Sequence, residues 1–238
     1  MAKKRDSKSS KATRVRRSDS RRRIAILGAA GLGRAFYGAL VSTHCGDEVV
    51  GFLDDGRREP FCGLPILGRC RDLPVLAQKL NLTHVGLGVG YQYFQDRQEL
   101  IALVNETKCC QWVSAIHASA VVSRDVQLGK GVFISMGCIV GAGTRIGNYG
   151  VLWSGVTVEH DNEIGDDVYL ATGVMTAGYV KIESHAFVGM GSMIAKCTVG
   201  ESATIGAGSL VLDDVPAHTY AWGRPAQAVK RKPQLAYV

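Results

Sequence analysis

Between residues 121 and 212 aliphatic side chains return at every sixth position. The series runs Val122, Leu128, Ile134, Val140, Ile146, Leu152, Val158, Ile164, Leu170, Thr176, Ile182, Val188 and Ile194, and only Thr176 breaks it. After one shortened step the phase resumes at Val199, Ile205 and Val211. A glycine often follows directly, as at Gly129, Gly141, Gly165 and Gly189, and four residues on stand small or β-branched side chains such as Val132, Thr144, Val156 and Val174. A period of six matches neither the 3.6 of a helix nor the 2 of a half-buried strand. It matches a solenoid of triangular coils of about eighteen residues, each made of three short strands, with aliphatics stacked inward and glycines at the corners. The length of the repeat predicts about five coils.

The preceding segment has a different rhythm. Residues 23–28 (RIAILG) read as a buried strand, followed by GAAGLGR and a helix over about 33–42. EVVGFLDD (48–55) reads as a second strand, GLPILG (63–68) as a loop, 71–80 as a helix, HVGLGVG (84–90) as a strand and 92–106 as a helix. Strands alternating with helices predict a parallel sheet covered by helices. Gly28, Gly31 and Gly33 follow the first strand, and Asp54 and Asp55 end the second. Two readings stand side by side. The glycines let a phosphate approach the N–H groups at a helix start and the aspartates meet a ribose or base, or they form a tight turn and a strand-end cap. Only about 90 residues precede the solenoid, half of a dinucleotide domain, which suits a mononucleotide such as the handle of an activated sugar better than NAD.

The expected fold class is therefore α/β plus all-β: a half-Rossmann parallel sheet over 23–112, then a parallel β-helix with a C-terminal extension over 113–238. Composition agrees. Glycine contributes 29 of 238 residues, about 12% against a usual ~7%, and aromatics only 7%. The net charge of +7 divides unevenly: residues 1–23 carry eleven Lys/Arg and two Asp, and the remainder is slightly acidic. Residues 1–22 are expected to be a disordered basic tail, either touching anionic lipid or nucleic acid or serving as a solubilising extension. Nucleic acid is not expected as the main partner. No apolar signal region and no run of 18 apolar residues is present, so neither secretion nor membrane spanning is expected. Seven cysteines without ligand spacing read as free thiols of a reducing cytoplasm. Of six histidines only His160 and His185 lie well within the repeat, so no metal site is expected.

The repeat resembles the hexapeptide repeat of left-handed parallel β-helix proteins, and the hand comes from that resemblance, since crossovers are generally right-handed. Such solenoids host acyltransferases, carbonic anhydrase relatives, pyrophosphorylase tails and structural assemblies. The segment VTVEHDNEIGDD (156–167), the later AFVGMGSMIAKCTVGESATIGAGSLV (186–211) and the terminal DVPAHTYAWGRPAQAVK (214–230) are similar to the bacterial sugar acyltransferases that include sialic-acid O-acetyltransferases and N-acetyltransferases of UDP-4-amino-sugars. The likeness spans residues 23–232. It implies His160 as catalytic base, Asp161 as the carboxylate orienting it, Gly178 as the N–H facing the thioester carbonyl, and Met190 and Gly208 along the coenzyme A arm. It also implies active sites between the subunits of a homotrimer, so that one chain alone is inert. Arg224 and Lys230 near the last coil are candidates for the 3′-phosphate of acetyl-CoA, or incidental terminal basicity.

The chemistry suits these residue types. An imidazole with a reference pKa near ~6.5 can take the proton of an attacking amine or hydroxyl. A carboxylate fixes its tautomer and favours the imidazolium, and a preorganised N–H stabilises the oxyanion. Four positions depart from the family pattern: Leu32 stands where His is usual, Tyr91 and Trp153 where Asn (or, at 91, Asp) is usual, and Tyr169 where many members carry a second histidine. Tyr91 and Trp153 are candidate acceptor contacts, with the Trp153 face packing on a sugar ring. The expectation is an acetyl-CoA-dependent N-acetyltransferase acting on a nucleotide-linked amino sugar. The alternatives are a sugar O-acetyltransferase and a non-enzymatic trimeric scaffold presenting basic tails.

Overall fold

The computed structural model describes residues 21–43 and 46–229. The basic tail falls almost wholly outside that range, as does Lys230. The first domain is a parallel sheet of β1 (Arg23–Leu27), β2 (Glu48–Leu53), β3 (Ile66–Gly68), β4 (His84–Leu87) and β5 (Gln111–Trp112), in the order β3-β2-β1-β4-β5. Helices α1 (Gly31–Thr43), α2 (Leu73–Leu80) and α3 (Phe94–Thr107) connect them. β1 is central, and Ile24, Ala25, Ile26 and Leu27 are all fully buried, as an unbroken apolar run in a sheet covered on both sides requires. Two strands were not legible. The end of the expected loop GLPILG forms the edge strand β3, and the two-residue β5 closes the other edge; both are too short to show a period. β4 ends at Leu87, and Gly88, whose N–H still donates to Leu27 O at 2.7 Å, packs so closely on Gly33 that a Cβ would lie 2.6 Å from its Cα.

The second domain is the left-handed parallel β-helix expected. Its coils begin at Ala115, one step before the repeat is legible, and run to Val211. Each strand is two residues long, one pointing in and one out, and pairs with the strand one coil on: Ile139 with Thr157, Arg145 with Glu163, Val151 with Tyr169. The shortened step appears as a coil one residue smaller, pairing Lys181 with Thr198 and Phe187 with Thr204. Inward residues such as Ile134, Leu152, Leu170, Val188 and Ile205 are fully buried in one continuous core. Glycine is required where a coil presses on its neighbour: a Cβ on Gly141 would lie 2.7 Å from the backbone nitrogen of His160.

The prism has three unlike faces. On the first, Phe133, Val151, Tyr169 and Phe187 point outward and are covered by the first domain, with Phe36 stacking on Phe133 at 5.8 Å and Tyr91 tilted against Phe187 at 4.7 Å. The second is charged, carrying Gln127, Arg145, Glu163 and Lys181. The third carries Val121, Ile139, Thr157, Met175, Met193 and Leu210, of which Val121 is 65% and Ile139 48% exposed. A hairpin of residues 220–223 and 226–229, turning through a cis Arg224–Pro225 bond, extends the first face.

One buried ion pair locks the domains together. Arg97 on α3 is 1% exposed; its Nε donates to Asp167 Oδ1 at 2.7 Å, Nη1 to Val89 O and Nη2 to Tyr149 O, both at 2.7 Å. Gln98 donates to the other Asp167 oxygen. Removing one member leaves an uncompensated buried charge, a loss of about 3–5 kcal/mol. Arg97→Leu is therefore expected to lower unfolding free energy by that order in denaturant titration, whereas Arg145→Ala, at an exposed pair of 3.8 Å, should change it by less than about 1 kcal/mol.

Candidate active site

His160 stands on the edge between the apolar and the charged face. Its Nδ1 lies 2.9 Å from Asp161 Oδ2. The carboxylate can only accept, so Nδ1 carries the proton and Nε2 is left as the basic nitrogen. Asp161 holds a left-handed φ of 54°, tolerated best by Gly, Asn and Asp. One coil later sits Gly178, where a Cβ would come within 2.6 Å of the imidazole Cε1 and 2.7 Å of Nε2. The ring thus occupies the space above this residue. Among the described residues the N–H groups of Ala177, Tyr179 and Val180 have acceptors, while none is recorded for Gly178 N–H. Tyr179 meets the imidazole edge-on at 5.2 Å, and Lys196 Nζ lies 5.0 Å from the Tyr179 ring centroid.

The turn bearing His160 is clamped from inside. Asn162, fully buried, donates from Nδ2 to the carbonyls of Glu159 at 2.5 Å and Ala177 at 3.0 Å and accepts from Val180 N–H at 2.9 Å. Thr144 Oγ1 donates to Glu159 O at 2.9 Å, and Thr176 Oγ1 accepts from Glu159 N–H at 3.3 Å. Thr176 is the one interruption in the aliphatic series. That anomaly was the available signal for the clamp, since a hydroxyl in an apolar column must find a partner.

The first domain carries a cleft of about 940 Å³ lined by Gly31, Leu32, Asp54, Asp55, Arg57 and Gln92, among others, with Trp153 and Tyr169 at its coil side. The sequence candidates divide here. A Cβ on Gly33 would lie 2.0 Å from Gly28 O, so Gly33 is a packing glycine; Gly31 has open space at that position. Asp54 accepts from Ala29 N–H at 2.8 Å, Gly56 N–H at 2.9 Å and Arg57 N–H at 2.7 Å. Burial opposes its ionisation, but these three N–H groups and the Arg57 charge outweigh it and hold the carboxyl below its ordinary range. Asp54 thus makes the capping contacts and also stands in the cleft wall. Asp55 lines the cleft with Oδ1 accepting from Cys70 N–H at 3.2 Å.

A second groove of about 570 Å³ continues from the first along the edge between the covered and the apolar face, lined by Tyr91, Trp153, Tyr169, Phe187 and Met190. Trp153 Nε1 donates to the Tyr169 hydroxyl, and burial pushes the Tyr169 phenol up, offset in part by that bond and by Arg97. Gly208 N–H donates to Met190 O at 2.7 Å one coil on, and Arg224 is exposed in the terminal hairpin turn. Tyr91, Trp153, Met190 and Gly208 therefore share one edge. His160, Asp161 and Gly178 share another, and the six-stranded apolar sheet separates the two in a single chain.

Burial pushes the Cys70 and Cys110 thiols up to about 12, Cys197 to about 11 and Cys138 up as well, which disfavours the nucleophilic thiolate at these four positions. Among the described residues no cluster of three or more His, Cys, Asp or Glu could hold a metal ion, and no helix is long and apolar enough to cross a membrane.

Fold and site together define a half-Rossmann domain joined to a hexapeptide-type β-helix with a histidine–carboxylate pair on one edge. No protein-family model matches the chain. Among curated proteins it is 35% identical over 123 residues to GDP-perosamine N-acetyltransferase of Escherichia coli O157:H7, covering 49% of this chain and 56% of that one. It is 33% identical over 135 residues to the bifunctional protein GlmU of Shouchella clausii, covering 49% and 30%. The chain thus spans about half or less of these relatives' length. Among solved structures, that of PerB from Caulobacter crescentus in complex with CoA and GDP-perosamine superposes with a TM-score of 0.80 at 29% identity, covering 87% of this chain and 96% of that one. The resemblance to sugar acyltransferases is borne out.

Two outcomes follow from the geometry. Gly178→Ala places a methyl where the imidazole lies, so any turnover that uses His160 should fall by about 10²-fold or more, while far-ultraviolet dichroism and Tm stay near wild type. For Asp54, whose folded pKa is depressed, the stabilisation is present above the unfolded value and is lost as pH falls through the folded one. Tm measured from pH 5 downward should therefore drop less steeply in Asp54→Asn than in wild type, with the variant less stable at neutral pH.

Proposed function

We propose that this chain is an acetyl-CoA-dependent N-acetyltransferase acting on the amino group of a nucleotide-linked amino sugar, in a homo-oligomer, a trimer, of the cytoplasm. The observation that carries the reading is the His160–Asp161 pair standing against Gly178 on a coil edge, in a chain that also holds a nucleotide-sized cleft beside a glycine turn. GDP-perosamine N-acetyltransferase and the PerB complex with CoA and GDP-perosamine support the substrate class, and the free thiols support a reducing compartment.

Transfer is direct. The amine nitrogen attacks the thioester carbonyl carbon as His160 Nε2 takes the amine proton, and Asp161, on Nδ1–H, stabilises the resulting imidazolium. The charge gathering on the carbonyl oxygen is met by Gly178 N–H. Collapse breaks the C–S bond, the departing sulfur takes the proton from the imidazolium, and the products are the acetamido sugar and free coenzyme A. The base edge and the coenzyme edge flank the apolar face, so a second copy seated on Val121, Ile139 and Met175 would supply the edge that one chain lacks. Burial of that face supplies the driving force for assembly. Trp153 and Tyr91 then line the acceptor side, and Arg224, with Lys230 outside the described residues, the 3′-phosphate side.

The direct test is thiol release by the purified protein from acetyl-CoA with a panel of nucleotide amino sugars. His160→Ala should lose about 10²-fold or more at unchanged assembly mass. Turnover close to wild type in that variant would remove His160 from the reaction.

A further inference from the structure

The strand-end segment DDGRREP carries an arginine held in a way that capping does not require. Arg57 lines the cleft beside Gly31 and Asp55. Its guanidinium carbon lies 4.7 Å from the Phe61 ring centroid, and that of Arg34 lies 4.9 Å from the same ring. Phe61 is 5% exposed and is itself fixed edge-on against Phe52 at 5.2 Å. Arg57 Nε donates to Ala29 O at 3.2 Å, in the glycine turn between β1 and α1, and its N–H is tied to Asp54. Backbone, Nε and planar face are therefore all immobilised, and no hydrogen bond is recorded for the two Nη groups among the described residues. Arg58 differs: its Nη1 turns back to its own chain, donating to Arg57 O at 2.8 Å and Asp54 O at 3.3 Å.

An arginine whose fork is pre-positioned loses little entropy when an anion arrives, and its geometry matches two oxygens of a phosphate. The glycine turn at its side leaves Gly31 open to close approach. We infer that Arg57, stacked on Phe61, is the residue that reads the second phosphate of a nucleoside diphosphate in this cleft, and so discriminates diphosphate-linked substrates from monophosphates. The inference rests on the nucleotide-sugar reading and adds to it the group recognised and the residue that recognises it.

The test measures dissociation constants of GDP, GMP, UDP and UMP for the full-length protein by calorimetry, in wild type, Arg57→Gln, Arg57→Lys and Phe61→Leu. Whichever base binds, the wild type prefers the diphosphate. Arg57→Gln weakens the diphosphate by about tenfold or more, the loss of a charge-assisted contact, and changes the monophosphate by less than about threefold, so the preference collapses. Arg57→Lys and Phe61→Leu keep a positive charge but lose the held fork, and fall between. Should Arg57→Gln misfold, the Lys and Leu variants carry the same comparison. Equal weakening of both nucleotides would make Arg57 merely structural, and an unchanged preference would exclude it; either overturns the inference and leaves the nucleotide reading standing. A wild type that binds none of the four overturns both.

Discussion

Everything in the second domain depends on register. Because each two-residue strand pairs with the strand one coil away, every side chain stands directly against its counterpart eighteen residues on, or seventeen after the shortened step. The columns so formed leave little choice of residue. Inside they must be aliphatic, and where corners press on one another a Cβ does not fit. The same constraint makes the site: His160 lies against Gly178 because they occupy one column, and the imidazole fills what any other side chain at 178 would fill. A slip of one residue would turn the core outward along the whole prism, so the geometry of the imidazole is set by the stability of the fold rather than by local contacts alone.

The three faces follow from what their outward residues can tolerate. The aromatic face is covered by the first domain, the charged face suits water, and the apolar face is left open in one chain. Its two bordering edges hold different parts of the proposed chemistry, the base on one and the coenzyme path on the other. Shared active sites are thus an economical reading of a prism whose useful edges are separated by a face that favours company. The cleft of the first domain continues to the Met190 edge past Trp153 and Tyr169, and the Arg97–Asp167 pair ties the two domains together beside it.

Much of this was legible in the sequence because it is periodic or local. The six-residue period gave the prism and the shortened step gave its one small coil. His160 and Asp161 are adjacent, so their pairing could be expected from the motif. Contacts between distant residues left no such trace. Arg97 and Asp167 are separated by 70 positions and read as ordinary surface charges until the domains dock. Asn162 and Thr144 look like variants of the small-residue pattern, and only Thr176, polar in an aliphatic column, marked the clamp. Asp54 illustrates a different limit: two roles fit the same residue in the same place, and its carboxylate both accepts three N–H groups and lines the cleft. The strands β3 and β5 were missed because three and two residues cannot display alternation.

The most direct measurement is a crystal structure of the assembled protein with coenzyme A. The account predicts the sulfur beside His160 and Gly178 of one copy, with the pantetheine arm running along Met190 and Gly208 of the copy next to it. Coenzyme A bound wholly within one chain, with its sulfur away from His160, would contradict the account.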